Sequence, residues 1–309
     1  MTRTRYRQLA IVTTVGICVL VVAGGVVRLT GSGLGCDDWP NCNAERFIDV
    51  STGHAAIEQL NRLLSGLIGL PTLLLVIWGF RAAPRGAGLR WPALGVLLSV
   101  LANGVVGGMA VRGDLHPALV QSHFLLAMAS IAFGLIAVRA GSVEPIRWHG
   151  VDLRDPVQSL VLAVVALTGA ALVTGTVVTG AGPHAGEVDV RRYGFDIGGV
   201  ARIHSGTVIV AVACGAVLAW VVVTRAPALR PVLSTWLFVA IVQGAIGYAQ
   251  YFTGVPELLV GLHLAGATGL WVVTVRMALA AVDQGSVRSR GVVMGTESEG
   301  ISPSSSARV

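Results

Sequence analysis

The fold class predicted by the sequence is an all-α membrane protein with eight transmembrane helices, arranged as two parallel-repeat four-helix bundles. Three observations predict it. Of 309 residues, 54% are hydrophobic and only 12% charged, too little polar surface to cover a soluble chain of this size. Eight apolar runs of about 20 residues are each long enough to cross a hydrocarbon core roughly 30 Å thick. The arginines fall on alternate connections between those runs, the signature of a chain that crosses the bilayer repeatedly.

The spans lie near 8–29, 56–79, 91–111, 118–138, 157–178, 199–223, 232–252 and 258–281. The first follows Arg3, Arg5 and Arg7, as a signal peptide would. Its apolar stretch is too long for one, and seven more spans follow, so it is read as membrane helix. Arg81, Arg85 and Arg90, then Arg139, Arg147 and Arg154, then Arg225 and Arg230, then Arg288 and Arg290 mark the connections on the same side as the first three. The positive-inside rule makes that side cytoplasmic, with both termini inside a multi-pass cell-membrane protein. The opposite loops carry Arg46, Arg112, Arg191 and Arg192 and are otherwise Gly-rich and acidic. The +6 balance therefore reports topology and anionic lipid, with no nucleic-acid partner. After Asp283 the chain is Ser- and Gly-rich without periodicity and reads as disordered.

Cys36 and Cys42 lie in the first outer loop, GLGCDDWPNC. The oxidising compartment and the short spacing favour a disulfide, structural or redox-active, over two free thiols. Cys18 and Cys214 fall inside spans, where a small buried hydrophobe is the ordinary reading.

The halves repeat. NGVVG at 103–107 returns as QGAIG at 243–247, and LVQSH ending at His123 returns as LVGLH ending at His263, both displaced by 140 residues. RLTGSG after the first span returns at a nearby displacement as VVTGAG after the fifth. A duplicated unit of four helices re-enters the membrane with the same orientation, giving parallel rather than inverted repeats. The chain then divides into an N-terminal half 1–150, a C-terminal half 151–282 and a cytoplasmic tail 283–309.

Ionisable groups inside spans are costly and mark sites. His204 and His263 lie at one depth below the outer surface, an arrangement that suits bis-histidine haem ligation between helices. The plainer alternative is that each histidine hydrogen-bonds across a helix pair. In the first half His123 matches His263, but the position matching His204 is Asn61. His54, Glu58 and Asn61 share one helix face, and Arg62 follows. Glu58 in an apolar span is a candidate proton acceptor or donor, against the alternative of a structural pair with Arg62. A half with a carboxyl and an incomplete ligand set looks reactive; the other looks like electron storage. Arg28, Arg62 and Arg202 are candidates for pairing with haem propionates or for snorkelling to the interface. His116 reads as solvated or hydrogen-bonded, and His149 and His184 receive no role.

GLGCDDWPNC, IEQLNR on the second span, LVQSH on the fourth, RIHSG on the sixth and LVGLH on the eighth together resemble haem A synthase, particularly its actinobacterial members, over residues 8–282. The resemblance implies an enzyme that oxidises the C8 methyl group of haem O to a formyl group, making haem A for cytochrome oxidase. It implies haem b iron on His204 and His263 in the second half, and Glu58 as catalytic residue. The substrate haem is received in the first half at His123, with Asn61 and Arg62 beside it, and Cys36 and Cys42 match an outer-loop pair. The family's ExxHR pattern is broken here, because the segment reads Glu58-Gln59-Leu60-Asn61-Arg62. The partners this reading allows are haem O, the haem O synthase that supplies it, membrane lipid and a second copy of the chain; the electron donor is left open. A bis-histidine haem b electron-transfer protein and, further off, a transporter are the rival readings.

Overall fold

A computed structural model describes residues 2–81, 88–142 and 152–298, with side chains described to residue 284. Arg85, Arg147 and His149 lie outside the described residues, as do the side chains of Arg288 and Arg290. The described regular structure is helical: α1 (Arg3–Leu29), α2 (Gly53–Arg81), α3 (Arg90–Arg112), α4 (Pro117–Ala140), α5 (Pro156–Ala181), α6 (Ile197–Arg225), α7 (Arg230–Phe252) and α8 (Glu257–Ser298), with one 3-10 turn at Pro227–Leu229. All eight helices contain a segment long and apolar enough to cross a membrane, the last within Glu257–Gln284. The chain is a multi-pass membrane protein.

Each predicted span lies within an observed helix. The helices run longer because their ends are capped by residues that hydropathy does not score. Asp155 accepts from Val157 N–H at 2.9 Å ahead of Pro156, and Asp196 accepts from Gly199 N–H at 2.6 Å, each satisfying an otherwise orphaned first-turn donor. His116 caps α4 in the same way, accepting from Ala118 N–H at 3.3 Å, which is the hydrogen-bonded loop role expected of it. Thr52 does so for α2, its hydroxyl accepting from Ala55 N–H at 3.1 Å. At the other end α8 continues as helix to Ser298, past the point where the sequence reading begins a disordered tail; residues 299–309 lie outside the described residues.

Helix neighbours fall into two rings. α1 packs on α2 and α4, and α3 packs on the same two; α5 packs on α6 and α8, and α7 packs on the same two. The diagonal pairs α2/α4 and α6/α8 make no close backbone approach. Each ring has its own buried apolar cluster, one around Leu75, Val96 and Ile131, the other around Val164, Leu218 and Trp236. Contacts of α1 and α4 with α8, and of α4 with α5, join the rings.

Burial is uneven along the helices. In α6 the buried residues are Ala211, Gly215, Leu218 and Val222, all toward the end carrying Arg225. In α5 Val157, Val161, Val164 and Thr168 are buried, then nothing until Ala181. α4 repeats this, with Pro117 buried and the next buried position at Ala127. Close packing therefore holds each ring at the end where Arg81, Arg139 and Arg225 lie, while the levels of His123 and His204 are packed more openly.

The turns before α4 and α8 share one backbone geometry. Asp114 and Leu115 have φ of 49° and 53°, and Gly254 and Val255, 140 residues on, have 81° and 60°. Leu115 N–H donates to Ala110 O at 2.8 Å and Val255 N–H to Gln250 O at 2.7 Å. Two successive left-handed residues, one of them β-branched, are costly; their recurrence places the following histidine at the same point of each helix.

Candidate functional site

Four positions about two turns from the helix ends opposite Arg81, Arg139 and Arg225 make up the candidate site: Asn61 on α2, His123 on α4, His204 on α6 and His263 on α8. All are half-buried. His204 and His263 reach across the diagonal of their ring, with ring centroids 6.4 Å apart and planes at 82°. The glycines opposite them make this possible. A Cβ on Gly175 of α5 would lie 3.0 Å from His204 Cε1, and one on Gly247 of α7 would lie 3.1 Å from His263 Cε1. Gly107 of α3 stands in the same relation to His123, at 2.8 Å. The repeated NGVVG and QGAIG segments thus carry the ring seats, a role that their sequence alone did not reveal.

Second partners orient two of the rings. His123 Nδ1 lies 3.0 Å from Asn103 O, an acceptor only, so Nδ1 carries the proton and Nε2 presents a lone pair. His204 Nδ1 lies 3.1 Å from Thr174 Oγ1, whose own hydroxyl is donated to Ala170 O at 2.9 Å. Thr174 therefore accepts from Nδ1–H, and Nε2 is again left free. A backbone or hydroxyl partner on the far nitrogen is the usual support of a metal-ligating histidine. Imidazole–metal bonds of about 2 Å, with about 1 Å more from each nitrogen to its ring centre, require centroids about 6 Å apart. The His204–His263 separation fits a single iron between them.

Glu58 and Arg62 are engaged with the loop between α1 and α2. Cys36 and Cys42 form a disulfide with Cα atoms 4.4 Å apart, as expected. Glu58 is 4% exposed; its Oε2 accepts from Cys36 N–H at 2.7 Å, and its Oε1 accepts from Arg62 Nη2 at 2.6 Å and Nε at 3.1 Å. Arg62 also donates to Asp38 O at 2.8 Å and Asn41 O at 2.9 Å. The pair of Glu58 with Arg62 thus exists, and it clamps the disulfide loop onto α2. Trp39 of that loop sits over Gly108 of α3, where a Cβ would meet its ring at 2.5 Å. His54 is bonded to Ser32 Oγ at 2.9 Å. Asn61 Oδ1 and Asn103 Oδ1 are buried without a partner.

The remaining arginines differ in freedom. Arg28 donates to Thr179 O at 2.8 Å and to His184 O, while Arg202 is well exposed and only 3.9 Å from Asp196. His184, given no role from sequence, ties the α5–α6 loop to α1 through Arg28 and to the α7–α8 turn through its Nε2, 2.9 Å from Val255 O.

The family model for cytochrome oxidase assembly proteins, COX15-CtaA, matches residues 7–186, more than half of the chain. The chain belongs to this family. The match runs from α1 into the loop after α5 and so takes in Cys36, Glu58, Asn61, Arg62 and His123 but not His204 or His263. Among curated relatives, the heme A synthase of Geobacillus kaustophilus is 32% identical over 125 residues, 40% of this chain and 39% of that one. The heme A synthase of Exiguobacterium is 31% identical over 124 residues, 40% and 41% of the two chains. That of Halalkalibacterium halodurans is 28% identical over 172 residues, 54% and 56%. The chain thus aligns with about two fifths to just over half the length of these family members.

Proposed function

We propose that this member of the cytochrome oxidase assembly family is a haem A synthase, oxidising the C8 methyl group of haem O to a formyl group. The observation that carries the reading is the His204–His263 pair, 6.4 Å apart across one ring, with His123 in the equivalent position of the other. The chain is read as two parallel four-helix repeats in the cell membrane, with both termini cytoplasmic. The first half receives haem O and the second holds haem b on His204 and His263. Haem b, when bound, supplies one-electron transfer. Haem O reaches the site from its synthase or from the lipid.

His123 Nε2 is the ligand offered to the substrate iron, its direction fixed by the bond to Asn103 O. Glu58 acts as proton acceptor. A carboxylate has about four lone-pair positions; Cys36 N–H and two Arg62 N–H groups fill three, leaving one on Oε2. Arg62 pairs with the carboxylate and holds the disulfide loop closed over it, which excludes water from the proton path. Methyl to formyl is a four-electron oxidation that removes two hydrogens from the methyl carbon and gains one oxygen, and Glu58 is the buried group there that can take a released proton.

Extraction of haems from a host lacking this chain is expected to give haem O without haem A, and restoring the gene to return haem A. His204→Ala and His263→Ala are expected to lose the low-spin haem b spectrum while the protein still inserts. Haem A production undiminished in the deletion strain would reject the function.

A further inference from the structure

We infer, building on the haem reading above, that the first-half pocket holds its iron on His123 alone and leaves the opposite position open to a small exogenous ligand, faced by the Asn61 carboxamide. The two rings set the comparison. In the second, α6 and α8 make no close backbone approach, yet His204 and His263 meet across the diagonal. α2 and α4 stand in the same diagonal relation. His123 matches His263 in residue, in depth, in its glycine seat and in the turn that precedes it. Asn61 lies eight residues after the start of α2, as His204 lies seven after the start of α6.

An asparagine side chain offers two weak donors and an amide oxygen, a set suited to hydrogen-bonding a ligand on iron rather than to replacing imidazole. Asn61 Oδ1 is buried and without a protein partner, as a group reserved for a bound molecule would be. No other described imidazole is in a position to substitute. His54 is engaged with Ser32 and lies about 10 Å higher on α2, and His116 is spent on capping α4. The difference between the halves is chemical: two histidines fill an iron's axial positions and confine it to electron transfer, whereas one histidine opposite a carboxamide leaves a position where oxygen or water can bind.

The test uses full-length protein purified with haem O bound, and carbon monoxide as probe on the reduced form. One haem per chain is expected to be high-spin and to bind carbon monoxide, and the other to be low-spin and inert to it. Asn61→His is expected to make both low-spin and to abolish carbon monoxide binding at an unchanged haem-to-protein ratio. Asn61→Leu is expected to keep carbon monoxide binding but to shift the C–O stretching band, because the carboxamide no longer faces the ligand. The second-half low-spin spectrum reports folding in every variant. A first-half haem that is low-spin and inert in the unsubstituted protein, or a C–O band unmoved in Asn61→Leu, overturns the inference while leaving the haem reading intact. A protein that binds no haem fails the reading itself.

Discussion

Glu58 has a structural role on α2 and, in the proposed function, a chemical one. Its carboxylate is the bond between α2 and the disulfide loop through Cys36 N–H, and its ion pair with Arg62 is almost wholly buried on the Glu58 side. Breaking a buried pair by removing one charge costs about 3 kcal/mol. Glu58→Gln keeps shape and one acceptor oxygen, but it loses the charge opposite Arg62 and cannot take a proton at neutral pH. The expected outcome is loss of stability of about that size, abolished conversion of haem O, and an undisturbed low-spin haem b spectrum. Haem extraction with a reduced spectrum of the same sample checks this, and near-normal haem A would remove Glu58 from the chemistry. The sequence displayed Glu58 and Arg62 at one-turn spacing, which left a structural pair and a proton carrier as alternatives. That the pair also holds Asp38 O and Asn41 O depends on a loop fold that spacing does not encode.

Helices were the most legible elements, because length and hydropathy dictate a span regardless of its neighbours. What hydropathy misses is decided by single backbone groups. The caps Asp155, Asp196, His116 and Thr52 set where helices begin, and the left-handed pairs before α4 and α8 set their register. The repeat was visible in NGVVG and QGAIG, but the function of their last glycines was not, since a missing Cβ matters only once a histidine ring from the next helix is laid against it. The α7–α8 turn makes the energetic side testable. Gly254 has φ of 81° and open space where a Cβ would go, so Gly254→Ala carries only the backbone penalty of a left-handed L-residue, about 1 kcal/mol. Val255, β-branched with φ of 60°, already bears that penalty, and Val255→Gly is expected to be neutral or stabilising. Thermal unfolding in detergent should therefore lower the midpoint for the first variant and not for the second; destabilisation by Val255→Gly would mean that its side-chain packing outweighs the strain.

At the scale of the whole molecule, the two rings have separate apolar clusters and are joined at both ends by polar contacts of different consequence. At the arginine-rich end Arg139 pairs with Asp283 at 2.6 Å, joining α4 to α8. His123 and Arg139 are sixteen residues apart on α4, about 24 Å, so this pair acts far from either histidine level. At the opposite end Arg28 of α1 reaches Thr179 O and His184 O, Gly33 N–H donates to Gly186 O at 2.9 Å, and Tyr193 donates to Gln121 at 2.8 Å. These ties lie close above the candidate sites and span both halves. Arg139→Leu, with both side chains only partly buried, is expected to cost about 1 kcal/mol and to leave the haem spectra unchanged. Arg28→Gln removes a charge-assisted donor to two carbonyls, so at a comparable loss of stability it should alter the spectra of both haems by loosening the α5–α6 loop above them. Absorption and magnetic circular dichroism of the two variants at matched folded fraction distinguish the ends: spectra displaced by Arg139→Leu but not by Arg28→Gln would mean that the halves communicate through α4 and α8 rather than through the outer loops.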